Sequence, residues 1–405
     1  MLTLTYEYKL IPTQQQVLDI ENILTVCRQV WNFALRERKD WVNSRKCRVD
    51  ACSKEQEYII QPDVPFPNYY IQAYNLTEAK KVIPELQTVN AQVLQQVLRT
   101  LDRAWDDISN RGFGFPRFKK HFRMRSFVFP QLKGELRSAN RVKLPQLGWV
   151  KFHVSRPIPD GFKVKQARVV RKASGYFVML SLQLDVNVPE VPFNGHSLGI
   201  DIGLESFLAT SEGELVARPK FFNSLHRQLE LLQRRLKHKK LGSNNRRQLN
   251  SKIARFHQQI SDTRKDFHWK LAHHLCDQAE SIFVEDIDFR AWAKGMFGKH
   301  TLDASFGQFF NILSYVCWKR GVFFAKVSKD YTSQICPECG TLTGKKDLSI
   351  REHNCKMCGY KTHRDVAAAQ VIRNRGILAV GQPVGLEIAS GGVLTGVGNS
   401  LVKCL

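Results

Sequence analysis

Two pairs of cysteines in the last fifth of the chain have the spacing of metal ligands. Each pair forms a Cys-x-x-Cys-Gly segment, and fifteen residues lie between the second cysteine of the first pair and the first cysteine of the second. Two residues between thiolates let both sulfurs face one ion, and the following glycine lets the backbone turn around them. Four sulfur ligands leave the ion no open position, so we expect a structural zinc site. Its ligands are Cys336, Cys339, Cys355 and Cys358. A redox dithiol, or a ligand set that includes His353 or His363, remains an alternative.

Three carboxylates lie at predicted strand ends or helix starts. Asp201 interrupts an apolar strand, Glu285 ends another, and Asp365 lies in the first turn of a predicted helix. A buried charge is unfavourable unless a cation compensates it. Alone, each acid would read as a turn or capping residue, but together they suggest an RNase H-like site in which carboxylates hold two Mg²⁺ or Mn²⁺ ions about 4 Å apart. Asp286 and Asp288 compete with Glu285 for its role.

The charge of the chain favours a polyanionic partner. Lys and Arg number 61 against 37 Asp and Glu, which gives a net charge of +24. Nucleic acid is the first candidate, and a membrane surface is the alternative, although no apolar run approaches the roughly 18 residues of a membrane span.

We expect an intracellular protein, cytoplasmic and nucleoid-associated in a prokaryote, whose six scattered cysteines are reduced thiols. Candidate phosphate contacts are Arg117, Lys119, Lys120, Arg234, Arg235, Lys239, Arg246 and Arg247.

The hydrophobic pattern predicts several units. A strand over residues 2–10 precedes a helical block, which a loop interrupts at 47–74 and which ends at 112–116. Short strands follow to residue 184, and the first strand is expected to complete their sheet. An α/β core begins at Ser197, and the cysteine-rich insert interrupts it at 334–361. The last helix is predicted over 363–374, and the Gly-rich remainder reads as a mobile tail.

With these residues assembled, the sequence resembles the TnpB family of transposon-encoded proteins, which are related to the type V CRISPR effector nucleases. The resemblance covers nearly the whole chain in family order. It rests on Tyr6-Glu-Tyr-Lys-Leu-Ile-Pro-Thr, Cys27-Arg-Gln-Val-Trp-Asn-Phe-Ala-Leu, Phe115-Pro-Arg-Phe-Lys, Gly199-Ile-Asp-Ile-Gly-Leu, Gly242-Ser-Asn-Asn-Arg-Arg, Val284-Glu-Asp-Ile and Tyr331-Thr-Ser-Gln-Ile-Cys-Pro-Glu-Cys-Gly.

The resemblance implies a multidomain α/β plus β fold with an RNase H-like (RuvC) core. It implies a β-barrel-like wedge domain at 1–12 and 117–188, a helical recognition domain at 13–116, the RuvC-like nuclease domain at 195–333 and 362–380, a zinc-ribbon nucleic-acid-binding insert at 334–361 and a flexible tail at 381–405. Asp201, Glu285 and Asp365 would then form the RuvC-type catalytic triad.

The resemblance also implies the partners of the protein. A guide RNA from the transposon end would pair with one strand of double-stranded target DNA, while the protein reads a short adjacent motif. We expect one protein per RNA. Gln95 lies on a helix that matches a family helix near the motif-reading groove, and a Gln amide can pair with adenine.

One local motif departs from the family pattern. The family usually has Asp-Arg-Asp followed by an Asn two residues on, whereas this chain has His363-Arg-Asp-Val-Ala367. Asp365 is retained, so we expect a guide-RNA-directed, Mg²⁺-dependent DNA endonuclease. The alternatives are a nuclease-silent RNA-guided DNA-binding protein and a strand-transfer transposase.

Overall fold

The computed structural model of the chain describes residues 2–46, 60–61, 63–132, 137–138, 140–188, 190–347 and 349–380. The chain forms two compact units, Met1–Val188 and Pro189–Leu405. No helix among the described residues is long and apolar enough to cross a membrane. The expected tail at 381–405 and half of the expected loop at 47–74 lie outside the described residues.

The first unit combines a sheet with a block of helices. Its elements are β1 Leu2–Ile11, α1 Gln14–Lys46, α2 Tyr69–Val82, α3 Pro84–Gln87, α4 Ala91–Arg111, β2 Ser126–Phe129, β3 Arg137–Ser138, β4 Arg141–Leu144, β5 Gly148–His153, β6 Lys163–Lys172 and β7 Gly175–Leu184. The strands form one sheet in the order β2-β6-β7-β1-β5-β4-β3, with β2 and β3 at its edges.

The first strand lies in the middle of this sheet. β1 pairs antiparallel with β7 on one side and with β5 on the other. Its alternate residues Leu4, Tyr6, Tyr8 and Leu10 are buried, as the period of a half-buried strand requires. The expectation that the first strand completes the sheet is therefore confirmed, and helices α1 to α4 interrupt the sheet in sequence.

A buried arginine joins three of these helices. Arg38 on α1 is fully buried, and it donates hydrogen bonds to Gln72 on α2 at 3.0 Å and to Asp102 on α4 at 2.7 Å. Its guanidinium also lies over the rings of Phe66 and Trp105. Because a buried charge without partners is unfavourable, these contacts make the packing of the three helices depend on one side chain.

The expected loop from Cys47 to Tyr74 is wrong over its last residues, because α2 begins at Tyr69. Asn68 is the reason, since its side chain accepts a hydrogen bond from the backbone N–H of Ile71 at 3.1 Å. Such a cap satisfies an N–H that has no partner within the helix. In this Pro-rich and Asn-rich stretch, Asn68 therefore marks the start of a helix and not a loop.

The second unit contains the remaining elements. They are β8 Ser197–Ile202, β9 Ser206–Thr210, β10 Leu215–Ala217, α5 Phe221–Lys237, α6 Asn244–Gln278, β11 Ser281–Glu285, α7 Phe289–Lys294, α8 Gly298–Ala304, α9 Phe306–Arg320, β12 Phe323–Val327, a 3₁₀ turn Thr332–Gln334, β13 Glu352–Asn354, β14 Lys361–His363 and α10 Arg364–Ala379. The short helices α7 and α8 had no counterpart in the prediction. The last helix also runs five residues beyond the predicted end at Asn374, to Ala379.

A five-stranded sheet with the order β10-β9-β8-β11-β12 forms the centre of this unit. β8, β9 and β10 are antiparallel neighbours, whereas β8, β11 and β12 run parallel. On one face, residues such as Ile200 and Val284 pack in a core that includes α6 and α9. On the other face, Phe283 packs with Ile372 of α10. The sheet therefore lies between two layers of helices.

Two glycines let α10 lie directly against the sheet. A Cβ on Gly199 of β8 would lie 2.0 Å from the backbone oxygen of Ala369, and a Cβ on Gly376 of α10 would lie 2.1 Å from the ring of Phe283. Real Cβ atoms do not approach so closely, so neither position accepts a side chain without a shift of the helix. This close approach brings the start of α10 to the ends of the strands.

Candidate active site and metal centre

Asp201 and Glu285 lie at the carboxyl ends of neighbouring parallel strands. In the ladder between β8 and β11, Ile200 lies opposite Val284, so the next residue on each strand is an acid. Alternation along a strand places each acid on the same face as the residue two positions earlier. Those residues are Gly199 and Phe283, which face α10. Both carboxylates therefore belong to the face that α10 covers.

The third acid enters from α10 itself. Asp365 lies in its first turn, and His363 caps the helix by accepting a hydrogen bond at Nδ1 from the N–H of Asp365 at 3.3 Å. The acceptor role requires that Nδ1 carries no proton. His363, which replaces the usual acid of the family, therefore supplies the N-cap from its imidazole.

The other two acids both act on the charge state of Asp201. Burial raises the pKa of the Asp201 carboxyl well above its ordinary range, and the charges of Glu285 and Asp365 raise it further. Arg364 and the backbone N–H of Ile202 oppose this increase. Like charges that are held together without a cation disfavour ionisation, which makes the cluster suited to positive ions.

Glu285 is buried and hydrogen-bonded. Burial raises the pKa of its carboxyl, whereas the hydroxyl of Thr332, the guanidinium of Arg375 and the ammonium of Lys329 lower it. Thr332, just after β12, donates its hydroxyl proton to Oε1 of Glu285. Sequence reasoning missed Thr332, although it lies in the motif that begins at Tyr331.

The two acids that compete with Glu285 have other partners. Asp286 is exposed, and one of its carboxylate oxygens lies 3.2 Å from Nζ of Lys326. Asp288 caps α7 by accepting a hydrogen bond from the N–H of Arg290 at 3.0 Å. Of these three acids, Glu285 is the buried one and the one whose charge acts on Asp201.

The four cysteines converge at one point. All four sulfurs lie within 4.8 Å of one another, and no other group of three or more His, Cys, Asp or Glu ligands among the described residues meets this condition. Sγ of Cys336 lies 3.7 Å from Sγ of Cys358, and the sulfurs of Cys339 and Cys355 lie 3.6 Å apart. A tetrahedral zinc ion with bonds of about 2.3 Å needs sulfurs about 3.8 Å apart. The donor set and the separations therefore fit zinc.

The backbone around the cysteines repeats in the two halves of the cluster. The N–H of Cys336 donates to the oxygen of Thr341, and the N–H of Cys355 donates to that of Tyr360, each at 2.9 Å. The glycine that follows each pair has a positive φ, 73° at Gly340 and 75° at Gly359. These are the turns that the Cys-x-x-Cys-Gly pattern predicts.

Neither histidine near the cluster joins the ligands. His353 is buried with Nδ1 at 2.7 Å from Nζ of Lys346, and His363 caps α10. The substituted ligand set is therefore not formed. The scattered cysteines that the structure describes, Cys27, Cys276 and Cys317, are buried and unbridged, as expected.

The candidate nucleic-acid contacts fall into two groups. Three of them have partners within their own unit. Nζ of Lys119 lies 3.7 Å from the ring centroid of Trp31, Arg234 pairs with Glu230 at 2.6 Å, and Arg246 donates to the backbone oxygens of Leu236 and Lys239 near the end of α5. The side chains of the second group are exposed, or partly so for Gln95. These are Gln95, Arg117, Lys120, Arg235, Lys239 and Arg247.

The sheet of the first unit carries a basic strip that sequence reasoning did not single out. Arg141 on β4 lies directly opposite Lys151 on β5, and both are exposed. On the same two strands, Nζ of Lys143 lies 6.0 Å from the ring centroid of Trp149. Like charges directly across a ladder are unfavourable without an anion between them. Alternation of basic and apolar residues in β4 was the available signal.

Comparison with known proteins matches three parts of the chain to known families. Residues 1–47 match a family described as "Helix-turn-helix domain" (HTH_OrfB_IS605), residues 181–295 match "Probable transposase" (OrfB_IS605), and residues 306–372 match "Cas12f1-like, TNB domain". A protein of Acanthamoeba polyphaga mimivirus named "TnpB-like protein L79" is 25% identical over 198 residues, which span 45% of this chain and 38% of that protein. These matches support a TnpB-family protein.

Two bacterial relatives match the chain over most of its length. A "Putative RNA-guided DNA endonuclease" of Streptomyces pristinaespiralis is 29% identical, over 92% of this chain and 89% of that protein. The "Putative RNA-guided DNA endonuclease InsQ" of Escherichia coli K12 is 27% identical, over 94% and 92%. A solved Cas12f1–sgRNA–target DNA complex matches at TM-score 0.35 and 17% identity, over 93% of this chain and all of the Cas12f1 chain.

Proposed function

We propose that this chain is an RNA-guided DNA endonuclease in which Asp201, Glu285 and Asp365 hold catalytic Mg²⁺ ions. The two relatives that match over most of the chain carry the words "RNA-guided DNA endonuclease" in their names, which supports DNA as the substrate and RNA as the guide. The proposal is supported by two observations: Asp201 and Glu285 end neighbouring parallel strands, and the charges of Glu285 and Asp365 both act on Asp201. Mutual repulsion of this kind is unfavourable unless cations bind.

The fold around the acids supports a RuvC-type core. Three antiparallel strands, continued by two parallel ones with helices on both faces, are what an RNase H-like domain requires. We assign residues 195–333 and 362–380 to this core, 334–361 to its zinc-ribbon insert, 1–12 and 117–188 to the wedge domain, and 13–116 to the recognition domain.

Carboxylate oxygens are the ligands that Mg²⁺ prefers, and the three acids offer six of them. When bound, the ions supply activation of water and stabilisation of the leaving oxygen during phosphodiester hydrolysis. The chain's own part is to hold the acids. Glu285 is kept in place by Thr332, Asp365 is held by the capped start of α10, and the charges of both act on Asp201.

The remaining residues would bind nucleic acid and the structural ion. We assign zinc to Cys336, Cys339, Cys355 and Cys358. Contacts with the backbone of the guide or target fall to the exposed basic residues of each unit and to the strip that contains Arg141 and Lys151, because salt-dependent phosphate contacts dominate such binding. We propose that Gln95 contacts a base of the adjacent DNA motif.

The test is cleavage by the purified protein–RNA complex. The protein is expressed with its flanking transposon DNA, the copurifying RNA is sequenced, and a plasmid that matches the guide is offered with and without Mg²⁺. Glu285→Gln and Asp286→Asn form a matched pair, since the two acids are adjacent in sequence. We expect Mg²⁺-dependent breaks from the wild type and Asp286→Asn, and none from Glu285→Gln.

Other outcomes would select other functions. Binding of matched DNA without cleavage would indicate a nuclease-silent binding protein, and joined transposon ends would indicate a strand-transfer transposase. Copurification of no defined RNA would leave an unguided nuclease. Cleavage that survives Glu285→Gln would contradict the assignment of the metal ligands.

A further inference from the structure

The zinc-cluster segment, residues 332–363, contacts two of the three acids at its two ends. At its first residue, the buried hydroxyl of Thr332 donates to Oε1 of Glu285. At its last residue, the Nδ1 atom of His363 accepts from the N–H of Asp365. The four cysteines lie between these ends, so a single segment carries the metal cluster and both contacts.

The same segment is fixed along α10 by further hydrogen bonds. Nδ2 of Asn374 donates to the backbone oxygen of Pro337 at 2.9 Å, and the hydroxyl of Tyr360 donates to Gln370 at 3.0 Å. Pro337 lies within the first Cys-x-x-Cys turn, and Tyr360 follows the second. Each half of the cluster is therefore attached to the helix that carries Asp365.

We infer that the zinc cluster positions the catalytic acids, with Thr332 and His363 as the positioning residues. This inference rests on the proposed function. A closed four-thiolate site fixes residues 336–339 against 355–358, and hence the two ends of the segment. Thr332 then holds Glu285 in one orientation, and His363 sets the start of α10 and with it Asp365. Both residues would act through the acids that they contact.

The hydroxyl of Thr332 is the more sensitive of the two contacts. Its oxygen lies within hydrogen-bond distance of Glu285 and, at 3.2 Å, of the backbone oxygen of Lys329. It has one proton to donate, and Glu285 is buried, so removal of the hydroxyl leaves a buried carboxylate without this donor. Loss of a partner that orients a metal ligand typically lowers metal affinity about 10-fold to 100-fold.

The experiment measures Mn²⁺ binding by electron paramagnetic resonance in the zinc-loaded protein–RNA complex, without cleavage. Thr332→Val is compared with Thr332→Ser, which keeps the donor. The matched control is Thr343→Val, because the hydroxyl of Thr343 donates to the backbone oxygen of Gln334 at 3.0 Å and contacts no acid of the site. Asp201→Asn identifies the Mn²⁺ that binds at the acids. Zinc content and the unfolding temperature establish that each variant is folded.

We expect Thr332→Val to weaken Mn²⁺ binding about 10-fold or more, and Thr332→Ser and Thr343→Val to bind like the wild type. Wild-type affinity in folded Thr332→Val would overturn the inference and leave the proposed function standing. If Mn²⁺ binding by the wild type is unaffected by Asp201→Asn, the assignment of the metal ligands and this inference fail together. If Thr332→Val does not fold, His363→Ala against His363→Asn, which keeps a capping acceptor, tests the second contact in the same assay.

Discussion

The cysteine cluster and the carboxylate centre lie in one unit but are built in opposite ways. The sulfurs come from one short segment, and local turns at Gly340 and Gly359 direct them to one point. The proposed acids come from two strands and a helix that are far apart in sequence, and their proximity depends on the register of the strands and on the close packing of α10. A local site follows from spacing, whereas a non-local one depends on the packing of the whole unit.

The largest expected effect is that of zinc removal on the cysteine cluster, compared with Mg²⁺ withdrawal from the carboxylate centre. Removal of zinc with a selective chelator should unfold the zinc-cluster segment, because structural zinc contributes on the order of 10 kcal/mol of apparent binding free energy. Withdrawal of Mg²⁺ alone should leave the fold intact, since carboxylate repulsion is relieved by protonation. Limited proteolysis within 334–361 measures the difference. Equal protection from proteolysis with and without zinc would contradict a structural role for the metal in this segment.

Asp201→Asn should abolish cleavage yet stabilise the metal-free protein. Loss of several kcal/mol of metal-dependent transition-state stabilisation corresponds to about 10³-fold or more in rate. The raised pKa of Asp201 means that the folded protein binds this proton more tightly than the unfolded chain. Stability therefore falls as pH rises through the raised pKa.

The variant has no carboxylate to ionise at this position, so this fall with pH should become smaller and the unfolding temperature at neutral pH should increase. Thermal unfolding across pH in metal-free buffer measures the pH dependence of stability, with Asp286→Asn as the control. An unchanged pH dependence would contradict the electrostatic account of the site.

The close packing of α10 can be tested with two glycines in helices. Gly376→Ala should lower the free energy of unfolding by about 1–3 kcal/mol, because the new methyl group meets the ring of Phe283. The control is Gly307→Ala in α9, where the nearest atom, on Phe289, lies 3.6 Å away. That change should be neutral or stabilising by up to about 1 kcal/mol, since Ala favours a helix over Gly. Denaturant unfolding compares them, and equal effects would argue against the close approach.

The smallest effect concerns the helix cap that replaces the usual acid of the family. His363→Ala should lower the free energy of unfolding by about 1 kcal/mol, because the N–H of Asp365 loses its acceptor. His363→Asn retains an acceptor of suitable length and should be close to the wild type. Denaturant unfolding of the zinc-loaded protein measures both. If the two variants behave alike, the imidazole is not acting as a cap.

The sequence predicted most elements and the local metal site, but not how the distant parts meet. The cysteine turns follow from spacing, and β1 was expected to complete the first sheet, although its central position was not predicted. The start of α2 was missed because Asn68 is equally typical of loops and caps. Gly199 and Gly376 carry no local signal for close packing, and the bond from Thr332 to Glu285 joins residues 47 positions apart. Such contacts depend on tertiary structure.

The most direct test of the two-site account is element-resolved anomalous scattering from crystals of the zinc-loaded protein soaked in Mn²⁺. We predict a zinc signal among Cys336, Cys339, Cys355 and Cys358, and a manganese signal bounded by Asp201, Glu285 and Asp365. Manganese that is absent from the three acids, or bound elsewhere in the second unit, would contradict the assignment of the catalytic centre.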